Sequence, residues 1–202
     1  MQSKFYFLLL LVGGAIPLVV LIFVLRKKYE GYLLPIFCWL FVRLVTDIIV
    51  FGNRENGSSV YSPFVHLSIL VETILLIHFF LKNSSSLKYG LLLYLFPILV
   101  FVLETQVFSS IFQPNRIAIF SDNFLIVLLM FVLLFKQTTL KKSQSIVKLL
   151  FLYHAIAVVY FIFIKQLRVN LELMQLIYPV FLVVITSFNL LMSLLFWSKA
   201  KH

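Results

Sequence analysis

A single cysteine, Cys38, is all the thiol chemistry available to this chain of 202 residues. It can close no disulfide within the chain and supply no thiolate zinc cluster. Inside an apolar run it reads as an inert thiol, because reactive cysteines need an accessible, electropositive setting. Charge is scarce too. Asp, Glu, Lys and Arg make up 12% of the residues and the hydrophobic types 62%, where a soluble domain averages about 25% and about 45–50%. With a mean hydropathy of +1.08 in 23.6 kDa, there is more apolar surface than an interior can hide, and the excess must face lipid. A soluble enzyme, a disordered tail and a secreted disulfide scaffold are thereby excluded. Acidic residues are the scarcest, with 7 Asp+Glu against 17 Lys+Arg and a formal charge of +10. In a soluble protein that balance would point to nucleic acid. Here no nucleic-acid partner is expected, and the question becomes on which side of a bilayer the cations fall.

Catalytic signatures are missing as well. There is no G-x-S-x-G elbow, no H-E-x-x-H pair and no P-loop. His66 and His78 are 12 residues apart on one helix, about 18 Å at 1.5 Å per residue, so they cannot share a metal as a zinc-dependent membrane hydrolase would require. A haem held by His78 and His154 is geometrically conceivable, but no second pair supports it. No cofactor and no metal are expected.

What is present is a series of apolar runs. A bilayer core of about 30 Å takes about 20 apolar residues in a helix, and seven stretches fit: 5–25, 32–51, 64–81, 89–103, 120–135, 147–164 and 174–197. Their continuous apolarity predicts helices rather than the alternating strands of a barrel. The first is too long for a signal peptide, lacks a small-residue cleavage site and is closed by Arg26-Lys27-Lys28. The connectors are short and divide no domains. The expected fold is one all-α, multi-pass bundle of seven transmembrane helices spanning 1–202.

Placing the cations orients it. Arg26, Lys27, Lys28, Lys82, Lys88, Lys136, Lys141, Lys142, Lys148, Lys199 and Lys201 fall on one side, and Lys4, Arg54, Arg116, Lys165 and Arg168 on the other. The positive-inside bias then puts the N-terminus outside and the C-terminus in the cytoplasm of a cell or inner membrane. The cytoplasmic cations read as topology signals that also touch anionic headgroups; the connector Lys136 to Lys148 could instead dock a membrane or cytoplasmic protein. Asn56-Gly57-Ser58 fits a glycosylation acceptor on the outer side, where the organism glycosylates.

Ionisable groups inside a span are costly and mark the bundle interior or a functional site. Arg43 and Asp47 lie i,i+4 on the second span and share a face. Counting depth from the ends places Glu72 of the third span level with Arg43, and His66 level with Asp47. Two readings follow: an ion pair that fixes helix packing, or a polar pocket for an anionic or zwitterionic group. Ser121-Asp122-Asn123 opens the fifth span and reads as an N-cap, or else as one wall of an outer vestibule with Glu104, which otherwise reads as a solvated helix end. On the sixth span His154 adjoins Tyr153. On the seventh, Thr186, Asn189 and Ser193 form a polar stripe expected to act as interhelical hydrogen-bond glue. Pro17, Pro35, Pro97 and Pro179, with Gly13-Gly14, permit kinks and close approach.

Seven helices with an outside N-terminus resemble the rhodopsin and receptor architecture, a likeness of architecture alone. The seventh span has no lysine for a retinal Schiff base. An odd span count disfavours an inverted-repeat transporter. The expected function is a non-enzymatic membrane protein, a small sensor or receptor-like binder or a subunit of a larger complex, with a polar core of Arg43, Asp47, His66, Glu72, His154 and Asn189. The alternative is an intramembrane enzyme for a lipid or isoprenoid substrate, with Asp47 or Glu72 as general base, followed by a proton-coupled carrier.

Overall fold

The computed structural model describes residues 2–27, 31, 33–53, 61–84, 90–108, 116–135 and 143–201. Among them lie seven α-helices: α1 (Gln2–Lys27), α2 (Leu34–Asn53), α3 (Tyr61–Asn83), α4 (Gly90–Leu103), α5 (Arg116–Phe135), α6 (Gln144–Val169) and α7 (Leu171–Lys201). A single π-helical turn, Glu104–Phe108, continues α4. Connector Asn56-Gly57-Ser58 and cations 136, 141 and 142 of the basic connector lie outside the described residues.

Four helical stretches are long and apolar enough to cross a membrane: Phe7–Arg26, Pro63–Asn83, Gln144–Phe163 and Gln175–Ser198. Shorter apolar helical segments cover Gly90–Gln106 and Ile119–Phe135. The outside of the bundle is apolar. Leu91 is 77% exposed, Phe135 70% and Leu176 67%. In water each would forfeit about 1.5–3 kcal/mol of burial free energy, so lipid is the solvent this surface fits.

Helix boundaries follow local chemistry. Pro35 and Pro63 sit in the first turns of α2 and α3, where a missing N–H costs nothing. Pro35 therefore starts its helix rather than kinking it. Asn170 separates α6 from α7 and caps the latter, its side-chain oxygen accepting the Leu173 N–H at 3.1 Å. Both helices run past the apolar stretches 147–164 and 174–197 into the polar residues between them.

Helix contacts close a ring. α1 packs on α2, α2 on α3, α3 on α5, α5 on α6, α6 on α7 and α7 back on α1, while α4 lies outside against α3 and α5. The ring is divided along its length. Its apolar core gathers at the end where α1, α3, α5 and α7 finish and α2 and α6 begin, around Leu21, Ile36, Trp39, Phe79, Met130 and Phe196, each no more than 1% exposed. Lys82 ties that end together, donating to the Gly31 carbonyl at 3.2 Å, and His78 Nδ1 lies 2.9 Å from the Tyr94 hydroxyl. The other half carries Arg43, Asp47, Glu72, Asp122 and His154.

α1 meets its neighbours through two glycines. A Cβ on Gly13 would stand 3.0 Å from Thr186 Cγ2 and 3.4 Å from Thr186 Cα on α7; one on Gly14 would stand 2.8 Å from Leu44 Cδ1, the far end of a flexible side chain. The polar stripe of α7 thus turns its Thr186 to a close α1–α7 contact. It does not act as interhelical hydrogen-bond glue among the described residues. Ser193 donates to Asn189 O of its own helix at 3.1 Å, and Thr186 Oγ1 has no hydrogen-bond partner there. Gly13→Val should cost about 1–3 kcal/mol, as overpacking does, and lower the melting temperature in detergent more than Gly14→Ala, where Leu44 can yield. Equal melting temperatures would show that α1 does not pack here.

Candidate functional site

Arg43 lies one turn beyond Trp39 on α2, where the apolar core gives way. Its Nη1 is 3.5 Å from Glu72 Oε2 of α3, a single contact rather than a bidentate one. The guanidinium also lies over the Tyr153 ring of α6, 5.1 Å from its centroid, a cation–π distance. Trp39 supports this arrangement from below, edge-on to Tyr153 with centroids 5.6 Å apart and 6.0 Å from the His154 ring. One cation thereby joins α2, α3 and α6.

Asp47 is one turn further along α2. It makes no hydrogen bond and no ion pair within 4 Å among the described residues. The i,i+4 spacing brings it to Arg43's face, where the guanidinium's charge reaches it, but the ion pair within 4 Å is made with Glu72.

A second set of contacts runs through α5. That helix begins at Arg116, so Ser121-Asp122-Asn123 stands in its second turn and does not form its N-cap. The apolar residues Ile117, Ala118 and Ile119 extend the helix upstream of the stretch 120–135. Asp122 is 3% exposed, with Oδ2 3.1 Å from the Thr73 hydroxyl of α3. The same hydroxyl lies 2.9 Å from its own Ile69 carbonyl and has one hydrogen to divide between them. Asp122 Oδ1 has no hydrogen-bond partner among the described residues. Glu104, in the π turn, is 2% exposed; it is buried and not a solvated helix end, because α4 continues past it.

Asn123 fixes a histidine. Its Nδ2 donates to the Ile119 carbonyl at 2.6 Å, which leaves Oδ1 as the acceptor facing His154 Nδ1 at 2.7 Å. His154 Nδ1 must therefore carry the hydrogen, and in the neutral imidazole Nε2 is an acceptor. Nε2 is buried, with no hydrogen-bond partner among the described residues, and the same holds for the Tyr153 hydroxyl.

These groups surround a cavity of about 190 Å³, walled by α2, α3, α5, α6 and α7. Four of the six residues singled out in the sequence line it: Arg43, Asp47, Glu72 and His154. His66, 2% exposed, and Asn189, 8% exposed, are buried outside its lining. Thr46, Ser68, Thr73, Asp122, Asn123 and Tyr153 add to its polar wall, with Phe161, Phe181 and Ile185 on the apolar side. Asp122 and Asn123 were legible as polar residues beside an apolar run; only helix register against α3 and α6 makes them lining residues. Among the described residues no three of His, Cys, Asp and Glu come together as a metal site would need.

The chain matches no family model, no curated protein and no solved structure.

The Arg43 and Glu72 side chains are half-buried, 29% and 15% exposed, and removing one leaves the other charge without its partner. Arg43→Ala should therefore destabilise the detergent-solubilised protein by about 1–3 kcal/mol, while Lys148→Ala, at an exposed position, should change it little. Thermal unfolding of the two variants checks this, and indistinguishable melting curves would show that Arg43 carries no structural load.

Proposed function

We propose that this protein is a multi-pass membrane protein of seven spans that binds a small ligand in the cavity between α2, α3, α5, α6 and α7, as a small receptor-like or sensor protein or as the ligand-binding membrane subunit of a larger complex. The observation that carries this reading is the cavity itself: about 190 Å³, lined by ionisable groups from four helices, in a bundle whose outside is apolar. Ionisable groups so placed are expensive. A purely structural ion pair would be served by Arg43 and Glu72 alone, yet Asp47, Asp122 and His154 also face the space.

The division of the ring supports a one-sided site. The apolar core fills the half where α3 and α5 end, and the cavity occupies the half where they begin. The proposed topology, with the N-terminus outside and the basic connectors in the cytoplasm, makes the cavity face the outside and the core seal the cytoplasmic half. Signals would then pass through the Arg43 contacts, which join α2, α3 and α6, rather than by passage of the ligand. The cytoplasmic connector Lys136 to Lys148 is the surface proposed for a membrane or cytoplasmic partner, beside its contact with anionic lipid.

Asp47 keeps a second reading in view. A carboxyl with no partner among the described residues, on a cavity wall, is placed as a general base would be, so an intramembrane enzyme for a lipid or isoprenoid substrate stands second, and a proton-coupled carrier third.

Native mass spectrometry of the protein extracted in its own lipids is the direct test. A small molecule retained by the wild type and lost in Asp47→Asn and Glu72→Gln, with no lipid converted by either form, is the expected result. Turnover of a lipid that disappears in Asp47→Asn would replace the binder with the enzyme. Topology is checked in a Cys38→Ser background: Gln2→Cys should react with a membrane-impermeant maleimide on intact cells, and Lys201→Cys only after permeabilisation. The reverse pattern would invert the proposed orientation.

A further inference from the structure

The ligand's chemistry can be read from which hydrogen-bonding capacity the cavity wall leaves unused. Three carboxyls face the space, Asp47, Glu72 and Asp122, against one guanidinium, Arg43. That guanidinium is engaged by Glu72 at 3.5 Å and by the Tyr153 ring. Asp47 and Asp122 are left with no cation within ion-pairing distance among the described residues.

The unused atoms are mostly acceptors. Asp122 Oδ1 is buried without a partner among the described residues, and so is His154 Nε2, on side chains 3% and 5% exposed. His154 Nε2 is an acceptor in the neutral ring because Asn123, locked by the Ile119 carbonyl, takes the hydrogen of Nδ1. The Tyr153 hydroxyl can serve either role. A buried acceptor left unpaired is costly, and two of them on different helices, α5 and α6, face one space. A group that donates several hydrogen bonds and brings a positive charge would satisfy them together.

The apolar part of the wall includes Phe161 of α6, Phe181 and Ile185 of α7, with Phe181 stacked on Tyr160 at 3.9 Å. Aromatic faces attract cations and enclose an apolar ligand body. A cavity near 150 Å³ admits a benzene-sized molecule, and about 190 Å³ leaves room for a short polar arm.

From the excess of carboxyls, the two orphaned acceptors and the aromatic wall, we propose that the ligand is a small organic amine, bound as its ammonium between Asp122, Asp47 and His154, with its apolar body against Phe161 and Phe181. This rests on the cavity being a ligand site, as proposed above, and it names the ligand's class. Ammonium binding would give the two aspartates an ion-pairing partner, which neither has within 4 Å among the described residues.

Phenethylamine is a suitable probe, with 2-phenylethanol as its uncharged counterpart, 3-phenylpropionate as its anionic one and sodium chloride as the inorganic cation. Thermal unfolding and calorimetric titration of the full chain in lipid nanodiscs would be measured for each. Phenethylamine should raise the melting temperature and bind saturably, and the alcohol and the acid should do neither. Asp122→Asn and Asp47→Asn, which keep side-chain shape, should each weaken amine binding about tenfold or more, the loss expected for a charge-assisted hydrogen bond. Ala157→Leu, which projects from the cavity wall into the space, should block binding with both aspartates intact; gel filtration and the unliganded melting curve of each variant confirm folding. Saturable binding of the acid or the alcohol, sensitive to Ala157→Leu, would overturn the amine while leaving the cavity a ligand site. Stabilisation by sodium alone, lost in Asp122→Asn, would replace the amine with an inorganic cation. No response to any probe would overturn the amine; if nothing is then retained in the native mass spectrum either, the ligand-site reading falls with it.

Discussion

A charge held between packed helices must find its opposite inside the protein, and in this chain Arg43 meets that requirement through Glu72 and the face of Tyr153. The pairing does more than neutralise. Glu72 comes from α3 and Tyr153 from α6, so satisfying one guanidinium requires three helices to converge at one level. Trp39, packed edge-on beneath Tyr153, marks where the apolar core stops, and the cavity begins immediately above. The boundary between the apolar core and the cavity thus coincides with the depth at which Arg43 enters.

Around that point the polar groups are not interchangeable. Asn123 holds His154 because its own amide is committed to a backbone carbonyl, and that commitment dictates which imidazole nitrogen carries the hydrogen. Thr73 is divided between Asp122 and its own helix, so the aspartate is only partly satisfied. The wall therefore combines rigid groups with unsatisfied ones. A structural network tends to exhaust its hydrogen-bonding capacity, since leftover acceptors cost free energy; a binding site retains some for its ligand. The close α1–α7 contact through Gly13 serves the same geometry from behind, closing the ring without lining the cavity.

The helical class, the positions of the apolar segments and the depth of Arg43 relative to Glu72 could be read along the chain, because each depends on hydropathy and on 1.5 Å per residue. Cap and connector assignments fared less well where apolar residues lay just beyond a polar cluster. Asp122 and Asn123 resemble an N-cap only if the helix starts beside them, and it starts at Arg116. Glu104 resembles a helix end only if α4 stops, and it passes into a π turn. At these places hydropathy measures the length of an apolar run, whereas helix length also depends on backbone hydrogen bonds that continue through polar residues.

By itself the sequence determined that this chain is helical and apolar outside, and that a handful of ionisable groups had to be buried together. Those conclusions follow from composition and periodicity, which are properties of single segments. Which groups would meet was decided by tertiary structure. Asp47, although one turn from Arg43, is passed over for Glu72, while Asp122, Asn123 and Tyr153 become walls of the same cavity that His66 and Asn189 miss. Side-chain partners depend on the rotation of each helix about its axis. That rotation is set by how α3, α5, α6 and α7 pack against one another around a ring, information that no single helix carries.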